Sequence, residues 1–168
     1  LHNDHTDVPD DIGVAVPLAR IAEGWPPFEY EILKVVDLGV GYRVDCIPWF
    51  AYGLNRNDVI SAVVQDGTLK FQDVIERSGH CTFRMRLRLH SIPESERAES
   101  LAMLKALSEA LSQFDVLVAS SSDVLHSIDV PPHPSIDVRA VVTDLLKVFE
   151  DFEWFDWEEG TFPAVPDL

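Results

Sequence analysis

Between Thr82 and Leu89 the side chains alternate cleanly, with Phe83, Met85, Leu87 and Leu89 on one side and Arg84, Arg86 and Arg88 on the other. A period of two with one apolar and one charged face is the pattern of a half-buried β-strand. The period then changes. Ser91-x-x-Glu94, with Pro93 inside it, has the form of a capping box. Ala98, Leu101, Leu104, Leu107 and Leu111 after it form one helical stripe. Phe114 to Ala119 and Val124 to Val130 read as strands around a serine-rich turn. Ser135 is the expected N-cap of a second helix, in which Val138, Val141, Val142, Leu145, Leu146 and Phe149 share a face. Glu153 to Glu159 reads as a last strand. The order strand, helix, strand, strand, helix, strand predicts a ferredoxin-like, split βαβ half over 82–159.

The preceding segment, 28–81, reads as short strands with turn signals. Tyr30 to Val36, Tyr42 to Ile47 and Val59 to Val64 are β-rich, and Asp66-Gly67 marks a hairpin into Leu69 to Ile75. Strands at this spacing predict a small bent sheet or partial barrel. The chain is therefore expected to be α+β, in four parts: an acidic tail and Pro-rich linker over 1–27, the strand-rich half, the α/β half and a tail over 160–168. Its 168 residues suit one compact domain.

Charge narrows the function. There are 29 acidic against 13 basic residues, a net charge of −16, and such a surface repels phosphate backbones and anionic headgroups. Nucleic acid and membrane are not expected partners; a basic protein is. No apolar run approaches the ~20 residues that span a bilayer, and Leu1 to Asp11 lacks the pattern of a signal peptide. Cys46 and Cys81 lie in apolar strands outside any CxxC pair, so both are expected as buried thiols in a reducing, cytoplasmic compartment. His2 and His5 are expected to be solvated, and no metal or cofactor is expected. The sequence leaves the oligomeric state open.

Three segments carry a resemblance. Asp45-Cys46-Ile47-Pro48-Trp49-Phe50-Ala51-Tyr52-Gly53, Asn57-Asp58-Val59 and Ser78-Gly79-His80-Cys81-Thr82-Phe83-Arg84 occur in that order. Together they resemble the bacterial family catalogued as domain of unknown function 4265, over about 28–159. The family pattern has Gly, Ser and Tyr where this chain has Asn57, Cys81 and Phe83. The resemblance implies fold boundaries and no activity.

The candidate catalytic group is His80 with Arg84, Asp45, Asp58 and Ser78. An imidazole serves as a general base near neutral pH, a guanidinium holds an anion, and Asp45 or Asp58 would orient the ring. The competing reading has Ser78 and His80 capping a turn. No nucleophile elbow surrounds Ser78. Trp49 to Tyr52 either plug a core or line a pocket. Arg84, Arg86 and Arg88 are expected to pair across strands with Asp156 and Glu158. The segment Trp154, Phe155, Asp156, Trp157, Glu158 and Glu159 is the candidate partner surface, since Trp is enriched at interface hot spots and acids would meet a basic partner. The leading expectation is a non-enzymatic protein-binding module of immunity or inhibitor type. The alternative is an enzyme or small-molecule binder with His80 and Arg84 in a cleft between the halves.

Overall fold

Val14 and Val16 sit on an apolar run too short for a helix, and in the computed structural model they form the first strand of a closed barrel. The structure describes residues 12–20, 23–24, 26–120 and 125–160. The barrel runs β1 (Ile12–Pro17), β2 (Tyr30–Asp37), β3 (Tyr42–Val44), β4 (Val59–Gln65) and β5 (Thr68–Glu76). Neighbours pair antiparallel in that order, and closure comes from a parallel contact of β1 with β5 at Ala15 and Lys70. Residues 12–17 are thus not linker, as 1–27 had been expected to be, but the strand that closes the barrel. The tail proper, 1–11, lies outside the described residues.

Alternation decides what the barrel encloses. Along β2, Leu33 and Val35 point inward with Val14, Val16, Val44 and Ile60, while Ile32 and Lys34 face out. Glu31 shares the inward side. Register shifts along β4 and β5 bend this pair of strands enough to curl it. Their hairpin turns at Asp66 and Gly67, both at positive φ (52° and 74°), the geometry Asp-Gly is suited to.

The second half is a four-stranded antiparallel sheet in the order β7-β8-β6-β9, with two helices. Its elements are β6 (Cys81–Leu87), α1 (Arg97–Ser112), β7 (Leu117–Ser120), β8 (Leu125–Val130), α2 (Val138–Lys147) and β9 (Phe155–Glu159). Phe83, Met85 and Leu87 pack with Leu107 and Leu111 of α1 and Val138, Val142 and Leu146 of α2. The apolar face of the alternating strand therefore meets the helices. The fold is mixed α and β and strand-rich.

Both helix starts differ from expectation. A 3-10 turn, Leu89–Ser91, occupies the place of the first cap, and Glu96 at the N-cap of α1 makes no side-chain capping bond. At α2 the cap is Asp137, whose Oδ1 accepts from the Ala140 N–H at 3.0 Å, whereas Ser135 turns its own N–H to His133 Nδ1. The expected cost of Asp137→Ala is about 1 kcal/mol, and Ser135→Ala is expected to be close to neutral. Urea unfolding of the two variants checks the pair; equal effects would contradict the capping assignment.

Candidate functional site

The second face of the sheet is polar, and the barrel lies against it. Buried polar residues concentrate there: Glu31, Asp58, Thr82, Arg84, Ser127 and Asp129 are each at most 9% exposed. Burying such groups is costly without partners, and each has at least one partner in a single loop, residues 48–58, between β3 and β4. Glu31 holds that loop from the barrel side. Its carboxylate accepts the N–H groups of Trp49, Phe50 and Ala51 at 2.6, 2.9 and 2.7 Å. On the sheet side, Pro48 O accepts from Ser127 Oγ at 3.0 Å and Ala51 O accepts from Arg84 Nη2 at 2.7 Å. Thr82 Oγ1 donates to Asn55 Oδ1 at 3.0 Å.

Asp58 ends the loop. It is fully buried and accepts from Asn55 N, Ser78 N and Ser78 Oγ, with the Arg77 guanidinium 3.2 Å away. Asn57 beside it has φ of 66°. A left-handed backbone there explains glycine in the family pattern, and Asn is among the side chains that tolerate it. Phe83 is fully buried among core residues and Cys81 packs against them. These two departures from the pattern therefore sit at packing positions.

His80 is oriented by neither Asp45 nor Asp58. Its Nδ1 lies 2.9 Å from Asp129 Oδ1, and Asn57 Nδ2 is 3.2 Å from Nε2. A proton on Nδ1 and an acceptor at Nε2 satisfy both contacts. Arg56 stands 3.5 Å from the other Asp129 oxygen. Ser78 Oγ bonds Arg56 O and Asp58 and accepts the His80 backbone N–H, so it does not meet the imidazole. Asp45 engages Lys34 O through its own N–H. Sequence reasoning missed Asp129 and Glu31. The available signal was topological: Asp129 pairs with Thr82, two residues from His80.

His80 and Arg84 line different clefts. His80 borders one of about 610 Å³ beside Pro131 to Pro134 and the start of α2. There Arg139 is paired with Glu159 at 2.7 Å, and the Cys81 thiol is pushed up to about 12 by burial, which keeps it protonated. Cys46 is likewise raised to about 11 by burial. Both thiols are free.

Arg84 borders a cleft of about 460 Å³ that spans the two halves. Trp49, Phe50 and Tyr52 wall it from the loop, Trp157 from β9, and Glu23, Arg86, Asp156 and Glu158 complete its polar rim. The guanidinium is 5% exposed and lies 4.5 Å from the Tyr52 ring centroid, a cation–π contact. Among the described residues Nε and Nη1 have no hydrogen-bond partner; Glu158 Oε1, at 3.6 Å from Nη1, is an ion-pair contact beyond bonding range. Burial lowers the Arg84 pKa, and Glu158 opposes that shift. Tyr52 donates to Glu158 Oε1 at 2.5 Å, and burial with this bond pushes the phenol well up. Gly160 completes the enclosure: a Cβ there would stand 3.1 Å from Nη1.

The candidate partner segment is engaged within the chain. Trp154 and Phe155 are 4% and 3% exposed in the helix–sheet core, and Trp157 packs on Phe83 with centroids 5.9 Å apart. Asp156 is shared by Arg86 and Arg88, Glu158 serves Tyr52, and Glu159 serves Arg139. Arg84 and Arg86 do stand opposite Glu158 and Asp156 in the register. Among the described residues no group of three His, Cys, Asp or Glu is placed to hold a metal, and no helix is long and apolar enough to cross a membrane.

The loop anchor is testable. Glu31→Ala removes the acceptor of three buried or part-buried N–H groups, and the expected loss is about 3 kcal/mol in urea unfolding. A loss under about 0.5 kcal/mol, the level of an unremarkable surface change, would show that the carboxylate does not hold the loop.

No curated protein matches the sequence. A solved structure, described as a hypothetical protein from Neisseria gonorrhoeae, is similar in fold, with a TM-score of 0.68 at 18% identity. The match covers 90% of this chain and 95% of that one. The family model described as "Domain of unknown function (DUF4265)" matches residues 31–157, which takes in the loop, the barrel from Glu31 onward and nearly all of the sheet with both helices; the chain belongs to that family.

Proposed function

We propose that this chain is a non-catalytic binding protein and that its ligand site is the cleft between barrel and sheet. One observation carries the proposal: Arg84 lines an aromatic-walled cavity of about 460 Å³ with two of its nitrogens lacking an acceptor among the described residues. Pockets for small molecules have this size and this mixture of apolar wall and a few polar groups. A buried guanidinium with unmet hydrogen bonds is costly, and a ligand bringing an acceptor relieves the cost. Against catalysis, the imidazole of His80 is held by Asp129 and Asn57 at the other cleft, and Ser78 Oγ is engaged by Asp58. The second half fits the ferredoxin-like order, and the raised thiols fit a reducing cytoplasm; both belong to this reading.

Small aromatic compounds are expected to raise the melting temperature of the protein. Trp49→Ala and Phe50→Ala are expected to weaken that binding about tenfold each. Ligands that bind both variants as well as the parent chain would locate the site elsewhere.

A second reading, docking against a basic protein in the manner of an immunity or inhibitor protein, is favoured by the fate of the cations. Arg56, Arg77, Arg84, Arg86, Arg88 and Arg139 each face a carboxylate of this chain. Asp66, Glu76, Glu99, Glu150 and Glu153 are exposed. The exterior is left negative, which steers basic partners and speeds encounter more than it deepens affinity. A partner recovered by pull-down at low salt and released near 1 M salt, where screening acts within about 3 Å, is the expected result. Recovery of nothing basic at low salt would count against it.

A further inference from the structure

We infer that the cleft takes an uncharged, planar heteroaromatic ligand with a lactam edge, an N–H beside a C=O; the inference rests on the cleft being a ligand site. What the cleft lacks inward is an acceptor. Arg84 spends Nη2 on Ala51 O, and among the described residues Nε and Nη1 are left unsatisfied. What stands beside it is a carboxylate with capacity to spare. Glu158 accepts from Tyr52 through Oε1, and its Oε2 makes no hydrogen bond among the described residues. A donor and an acceptor side by side complement the edge of a cis amide: its carbonyl faces the guanidinium and its N–H faces the carboxylate.

The walls supply the rest of the specification. Trp49, Phe50, Tyr52 and Trp157 present ring surface, which favours a flat, apolar body. Charge selects against an anion throughout the cleft, and against a cation only beside the guanidiniums. An anion entering the cleft meets Glu23, Asp156 and Glu158 within a chain of net charge −16. A cation meets Arg84 and Arg86, the former buried where screening is weak. Nη1 has no exposed surface in the empty cleft and lies against Gly160, so the inference requires the Glu158 side chain, 43% exposed and tethered by the Tyr52 hydroxyl, to rotate and uncover it.

Three probes with one ring system separate the possibilities: 2-quinolone carries the lactam edge, quinoline lacks it, and quinoline-2-carboxylate replaces it with an anion. Titration by tryptophan fluorescence and calorimetry is expected to show 2-quinolone binding at least about tenfold tighter than the other two. Glu158→Ala, a change at a part-exposed position outside both cores, is expected to remove that preference. Arg84→Lys, checked for folding by near-ultraviolet circular dichroism, is expected to do likewise. Equal binding of quinoline and 2-quinolone, sensitive to Trp49→Ala, would overturn the lactam edge and keep the cleft. Tightest binding by the carboxylate, again sensitive to Trp49→Ala, would replace the class with an anion. Binding of none of the three overturns the inference, and if no aromatic compound binds either, the cleft reading falls with it.

Discussion

The Glu31 carboxylate accepts three consecutive backbone N–H groups, and on that contact depends the way the two halves meet. Bonds from N–H to a charged oxygen are about twice as strong as neutral ones. Three of them at the barrel end fix the path of residues 49–51, so that Ala51 O faces Arg84 and Pro48 O faces Ser127. The barrel core and the helix–sheet core have no buried residue in common. What joins them is therefore directional rather than greasy. A seam of this kind sets orientation closely, because each bond weakens steeply with misalignment.

The same geometry explains the character of the clefts. Where loop and sheet meet fully, as around Asp58, Asp129 and Ser127, donors and acceptors are matched and the carboxylates are almost wholly buried. Where the loop lifts away at Trp49, Phe50 and Tyr52, the matching stops and Arg84 keeps unmet nitrogens. The 610 Å³ cleft beside α2 is larger, yet its arginine is paired and its thiol protonated. Each cleft thus has a buried atom without a hydrogen bond among the described residues, Glu159 Oε1 here and Nε with Nη1 of Arg84 there, and the aromatic walls distinguish the candidate site.

Local pattern made the elements legible, and distance hid the seam. The alternation of Phe83, Met85 and Leu87 against Arg84 and Arg86, and the stripe of Val138, Val142 and Leu146, mark which face is buried because each rests on neighbours in sequence. Barrel closure by 12–17 was hidden because Val14, Ala15 and Val16 look like a brief apolar stretch beside an acidic tail. Asp129 was hidden for a related reason: its partner His80 is 49 residues away, and only the strand order brings them together. Glu31 alternates among inward aliphatic residues as if it were an error in the pattern. That mismatch is the sequence trace of the seam. Trp154 and Phe155 misled in the opposite sense, since aromatics among acids resemble a docking surface until a helix is laid over them.

The polar seam also dictates an order of assembly. Neither half can offer the other a finished set of donors and acceptors until its own core has condensed, so the seam closes last. Contacts formed after the rate-limiting step act on unfolding rather than on folding. The Gly53 amide, whose acceptor Gly160 O lies in the sheet half, should then exchange its proton through a partial opening that parts the halves and leaves both cores standing. The protein would breathe along this line.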